Sequence, residues 1–285
     1  MTLTRSRTLW LRTEPLHAVI YFEERCRDLG RSLGLKGFWM GYFAARTAPM
    51  GPIEAGPATA SLGVFAPTMV ERALPSAWQY ASPGRIVEER AACTARALRA
   101  LVPDIEDQAI ALCPPLAAMV EDAPSLSRPL FAANRDVSER ADPVQRLWQL
   151  VTCVREFRGD AHVSVLADHG LDACEAVVLA AATGRVDPDT IRHDRGWGEQ
   201  EWAHAMDRLR GRGLLDGDGH ITEHGRTERE SVEDATDRLS ARLLRPLAAR
   251  DADTLLAALE RPVREILAAD LIPFPNPIGL PRPTG

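Results

Sequence analysis

The stretch that decides the fold runs from Arg212 to Arg226 and reads "RGLLDGDGHITEHGR". In it "LLD" and "HIT" flank "GDG", whose two glycines tolerate the positive φ angles that a tight turn requires. Helical spacing of apolar residues ends just before this stretch and resumes after it. A short β-hairpin set between two helices is therefore expected. Elsewhere apolar residues recur at helical spacing, and Gly and Pro separate segments of ordinary helix length. The reading is mainly α, with helices near 15–32, 36–47, 67–76, 84–102, 105–120, 143–167, 171–183, 198–211, 225–244 and 252–268.

With 285 residues the chain is long enough for two cores of its own. Its net charge of −6 gives no electrostatic reason to expect a polyanion as partner, because sequence-independent affinity for nucleic acid comes from Lys and Arg on phosphates. Lys36 is the only lysine, a bias of GC-rich coding sequence that says nothing about mechanism. The five cysteines, Cys26, Cys93, Cys113, Cys153 and Cys174, are far apart in sequence and form no Cys-x-x-Cys, so reduced, buried thiols are expected rather than a zinc site or a disulfide framework. The opening "MTLTRSRTLWLRTEPLHAVIYF" is interrupted by Arg12, Glu14 and Pro15 before it could form a signal peptide or membrane span, and a soluble cytoplasmic protein is expected.

The chain also aligns with itself. "GLKGFWMGYFAARTAPMGP" from Gly34 lies above "GLDACEAVVLAAATGRVDP" from Gly170, with Leu35/Leu171, Ala44/Ala180, Thr47/Thr183 and Arg72/Arg208 at one offset. Further on, Gly84-Arg85 matches Gly225-Arg226, and Asp104, Leu112 and Pro115 match Asp251, Leu259 and Pro262. The extra residues of the second copy fall in the expected hairpin; the first copy has only "SAWQYASP" there. Domain boundaries follow from this: a first half over 15–121, a linker rich in Pro, Ser and charge over 122–143, a second half over 144–270, and an extended Pro-rich tail over 271–285 that covers a groove or stays disordered.

The second half resembles one protomer of the MarR family of winged-helix regulators. "GLDACEAVVLAAATG" looks like the helix leading into the helix-turn-helix, "DPDTIRHDRG" and "WGEQEWAHAMDRLRGRGLL" like its two helices, and "DGDGHITEHGR" like the wing and its Leu-Thr-x-x-Gly-Arg type signature, with Ile221-Thr222 and Gly225-Arg226 in those places. Members of that family are homodimers, so the resemblance implies two MarR-like winged-helix halves in one chain, a pseudo-dimer whose first half lacks a proper wing. The assembly expected is a monomer of that kind or a homodimer of it.

In such a fold the second helix of the helix-turn-helix reads base edges while the wing and flanking helices hold phosphates. Here Gln200, His204, Arg208 and Arg212 are the candidate DNA contacts, but Glu199, Glu201 and Asp207 crowd the same helix and the wing tip carries two aspartates. The matching helix of the first half, "APTMVERALPSAW", is short and bounded by Pro67 and Pro75. DNA binding is therefore the alternative reading.

The family's usual ligands imply a small aromatic or phenolic molecule held between helices. His17 and Tyr21 share one helical face, and Trp39, Tyr42, Phe43 and Arg46 place aromatic surface, a phenol and a guanidinium on the next helix. In the second half His162 interrupts an apolar face, and Glu175 lies on an almost wholly apolar helix. Tyr21, Trp39, Tyr42, Phe43 and Arg46 are thus the candidate ligand contacts, and His162, Glu175 and His17 the candidate acid/base groups. No metal spacing, phosphate loop or nucleophile elbow occurs, and neither a metal nor another cofactor is expected. The leading expectation is a small-molecule-binding protein with reduced DNA-binding capacity, recruited as a cofactor-independent acid/base enzyme of specialised metabolism. A ligand-responsive regulator and a ligand-sequestering resistance protein are the alternatives.

Overall fold

The computed structural model describes residues 4–184 and 186–282. In chain order the helices are α1 (Arg5–Phe22), α2 (Glu24–Arg27), α3 (Leu29–Ser32), α4 (Gly37–Thr47), α5 (Ala55–Leu62), α6 (Pro67–Glu71), α7 (Pro83–Leu101) and α8 (Ile105–Asp122). They are followed by α9 (Pro129–Asp136), α10 (Pro143–Asp168), α11 (Ala173–Ala181), α12 (Pro188–Asp194), α13 (Glu199–Gly211), α14 (Glu223–Ser240) and α15 (Ala249–Ala268). The protein is mainly α, and the described residues contain no β-strand.

Two compact units divide the chain, and they interleave in sequence. Unit 1 comprises Met1–Glu54, Ala73–Ala161 and Asp237–Ile272; unit 2 comprises Ala55–Arg72, His162–Thr236 and Pro273–Gly285. Both α10 and α14 contribute residues to each.

In unit 1, α1 starts at Arg5, ten residues before the sequence reading places it, because the Thr4 side chain accepts from Arg7 N and caps the helix. α15 turns Leu255, Leu256, Leu259, Val263 and Ile266 inward at helical spacing and packs on α1, with Arg5 reaching Asp253 and Arg12 reaching Glu260 at the surface. The stretch 122–143, expected as a linker, carries α9. Its Pro, Ser and charge hide a buried face of Leu130, Phe131 and Asn134. Phe131 meets Phe157 edge-to-face at 4.9 Å, and Asn134 Oδ1 accepts from Arg90 Nη2 at 2.8 Å.

Unit 2 holds α11, α12 and α13 around a core of Val177, Ala181 and Ile191, with Val64, Val186 and Trp202 packed against it. Capping fixes the helix starts. Asp172 and Glu175 form a capping box on α11, and Asp187 caps α12 with Pro188 in its first turn. The expected hairpin shrinks to one antiparallel bridge, Leu215 to Ile221. The reason is the turn itself. The Asp216 carboxylate accepts from the backbone N of Asp218 (3.0 Å) and His220 (2.8 Å), and α14 begins immediately after Thr222. The ladder has no length in which to extend. Thr222 Oγ1 accepts from Gly225 N at 3.0 Å, and a Cβ on Gly225 would sit 2.2 Å from the Leu214 carbonyl oxygen. Only glycine fits there, a physical reason for the Thr-x-x-Gly spacing.

The helix expected over 67–76 stops at Glu71, and α5 and α6 belong to unit 2. The backbone N of Ala66 donates to the carbonyl of Arg195 at 2.8 Å, and the Trp197 indole donates to the Val64 carbonyl at 3.2 Å. This segment therefore lies against the α12–α13 turn. The tail from Pro273 to Arg282 is non-helical, as its prolines require, and belongs to unit 2. It is clipped by buried Asn276, whose amide exchanges two hydrogen bonds of 2.9 Å with the Leu280 backbone. Among the described residues, no helix is long and apolar enough to cross a membrane.

Candidate functional site

The outer face of α13 is built from Glu199, Gln200, Glu201, His204, Asp207 and Arg208, all exposed. Its cations are largely committed. Arg208 bonds Glu175 Oε1 at 2.8 Å and Asp172 at 2.5 Å, Arg210 bonds Asp207 at 2.9 Å, and Arg212 donates to the carbonyls of Gly170 (2.8 Å) and His169 (2.9 Å). Gln200 and His204 stand exposed beside the three carboxylates. Asp218 is exposed at the tip of the turn between Leu215 and Ile221, while Asp216 organises that turn and is held below its usual range by the backbone N–H groups it accepts from.

Glu175 is buried, but not as a free acid. One oxygen accepts from Asp172 N at 2.9 Å and the other from Arg208 Nε. Both are used to start α11 and anchor α13.

His162 is placed differently. It borders a pocket of about 200 Å³ walled by Val64, Leu166, Leu171, Leu179, Val186 and Ile278, with Arg195 and Arg229 as the other charged or polar groups. An apolar cavity of ~150 Å³ is enough to hold one benzene ring. Thr236 Oγ1 gives its proton to the Val232 carbonyl at 2.8 Å and so accepts from His162 Nδ1 at 3.1 Å. The tail contributes Pro277, Ile278 and Gly279 to the wall, and the Arg195 guanidinium holds it through the Pro277 carbonyl.

In unit 1 the structure brings His17, Tyr21, Tyr42 and Arg46 together, and adds partners the sequence reading lacks. Arg46 is 8% exposed and bonds Glu156 twice, at 2.9 and 3.1 Å; Arg155 bonds the same carboxylate at 2.7 Å. Burial pushes Glu156 upward, but the two guanidiniums prevail and hold it at about 2. Glu14 lies 4.0 Å from Arg155 and is raised by burial. Arg46 is thereby paired with an internal anion. Thr152 Oγ1 donates to the Trp148 carbonyl, so His17 Nδ1 donates to Thr152 (3.0 Å) and its Nε2 accepts the Tyr21 hydroxyl (3.0 Å). Burial first, and the nearby Arg155 second, keep His17 well below its usual range and therefore neutral; burial raises the Tyr21 phenol. Tyr21 and Tyr42 face a crevice of only about 40 Å³. Trp39 is half-buried beside Tyr42 at 5.5 Å, while Phe43 is fully buried core.

The three-helix arrangement of α11, α12 and α13 agrees with a family model. The helix-turn-helix family matches residues 6–273. The chain belongs to the helix-turn-helix family. No curated protein and no solved structure matches it. Membership accounts for the unit 2 scaffold and leaves the chemistry of the sites open, since a scaffold hosts many functions. Arg195 and Arg229 at the pocket were not singled out in the sequence, and the tail is read there only as a segment that covers a groove or stays disordered. Arg195 follows a short helix and the tail reads only as proline-rich, so neither carries a local pattern that marks a pocket wall. Glu156 and Arg155, on α10, carry no local signal that Arg46, 110 residues away from Glu156, is their partner.

Proposed function

We propose that this helix-turn-helix protein binds a small, largely apolar organic molecule in the unit 2 pocket, with His162 as the polar anchor, and that its capacity for DNA is reduced. The observation that carries this reading is the pocket itself: about 200 Å³ of mostly apolar wall on which His162, Arg195 and Arg229 converge. Any acid/base step on the bound molecule would fall to the His162 imidazole at the pocket wall. A fused, duplicated scaffold like that of MarR regulators fits the order of elements, with α5 and α6 as the remnant of the first reading unit. A single-ring phenol such as p-cresol should bind wild-type protein saturably in calorimetry and bind Ala180→Leu, which fills the pocket, at least tenfold more weakly. Equal affinity for both would overturn the reading.

The second reading is a ligand-responsive regulator, favoured by the family match. It predicts a specific, steeply salt-dependent mobility shift of the DNA upstream of the protein's own coding sequence. The first reading predicts no specific shift at physiological salt.

A further inference from the structure

Cys26 and Cys93 lie 67 residues apart in sequence, on α2 and α7, yet their sulfurs are 3.0 Å apart. Both are free thiols and both are buried. The contact is fixed by local structure on each side. Glu23 caps α2 by accepting from Cys26 N at 3.0 Å, and Cys93 sits mid-way along α7 with Val87, Ala91 and Thr94 buried around it. Cys26 also lines the crevice beside Tyr21 and Tyr42. A water needs ~10–15 Å³ of such space, so the crevice's 40 Å³ admits a molecule of peroxide size beside Cys26, whose sulfur lies 3.0 Å from that of Cys93.

We propose that Cys26 and Cys93 are an oxidation site: a dithiol that hydrogen peroxide converts to an intramolecular disulfide joining α2 to α7. The Cys93 thiolate attacks one peroxide oxygen; the S–O bond forms, the O–O bond breaks, and the departing hydroxide takes a proton to leave as water. Cys93 is then a sulfenic acid. The Cys26 sulfur attacks it, the S–S bond forms, the S–O bond breaks, and the Cys26 proton leaves with the hydroxyl as a second water. The sum is two thiols and one peroxide to one disulfide and two waters. The order follows from the surroundings. Cys93 is held at about 7, first by its hydrogen bond with Cys26 and then, against burial, by Arg96, with Glu23 opposing; the Cys26 thiol is pushed up by the same contact and by burial. The inference stands apart from the ligand reading, which concerns unit 2.

The test counts thiols in the full chain. Peroxide treatment under native conditions, followed by denaturation and alkylation, should lower the reactive thiols from five to three, and peptide mapping should find one cross-link, Cys26 to Cys93. Dithiothreitol should restore five. Retention of all five, or a cross-link through Cys113, Cys153 or Cys174, would overturn the proposal. In Cys26→Ser, dimedone should trap a sulfenic acid at Cys93. Absence of the adduct in a variant that melts like wild type would remove Cys93 as the first nucleophile. Should that variant not fold, the thiol count on wild-type protein decides alone.

Discussion

Each unit contains the same small device: a histidine whose Nδ1 donates to a threonine that has given its own proton to the carbonyl four residues earlier. In unit 1 these are His17, Thr152 and Trp148; in unit 2 they are His162, Thr236 and Val232. The outcome differs because of what surrounds the ring. His17 ends on the Tyr21 hydroxyl, inside a network whose charges neutralise one another, with about 40 Å³ of crevice beyond it. His162 borders about 200 Å³ of apolar pocket. A histidine in a polar setting is therefore not a site by virtue of its tautomer or its partner. Room beside it makes the difference.

The largest effect should come from opening the closed side of that comparison. Glu156→Ala leaves Arg46 and Arg155 buried around a lost anion, and breaking such a pair costs about 3–5 kcal/mol. Urea unfolding should show a loss of that size, and a loss under about 1 kcal/mol would mean that the network contributes little to unit 1. Next comes added volume. Ala44, on α4, is 0% exposed, so Ala44→Leu should cost about 1–3 kcal/mol. Ala180, half-buried at the pocket wall, should accept leucine for less than Ala44 does, since the side chain enters open space. Equal costs would erase the contrast in packing.

A further effect concerns pH. Burial, with Glu156 adding to it, pushes the Asp160 carboxyl in unit 1 from 3.8 up to about 7. In the unfolded chain the group ionises near pH ~4. Its contribution to stability is therefore full below that pH and is lost as pH rises through about 7. The Asp160→Asn amide oxygen can still accept from Phe131 N, the contact Asp160 makes at 2.8 Å. That variant should lose less stability than wild type between pH 4 and pH 7, read as urea midpoints. Parallel curves would show that Asp160 does not titrate in that window.

Much of the scaffold was legible because it is local. Caps act over three residues, as with Asp172 and Glu175 or Asp187 and Thr190, and amphipathic faces repeat every three or four, as on α15. Thr222 and Gly225 marked the wing turn for the same reason. The hairpin was overestimated because alternation in so short a stretch does not reveal that an Asp216 side chain closes the turn after one bridge. α9 was missed because three buried positions are diluted by Pro, Ser and charge.

The sequence by itself determined the helices, the helix-turn-helix with the tight turn after it, the acidic cast of α13 and the grouping of His17 with Tyr21 and of Tyr42 with Arg46, all interactions between residues a turn or so apart. Only the tertiary structure decided that Arg46 answers to Glu156, that Arg208 is taken by Glu175, that Cys26 meets Cys93, and that the tail walls the pocket at His162. Those pairings join segments from 33 to more than 100 residues apart, and side-chain periodicity carries no information at that range.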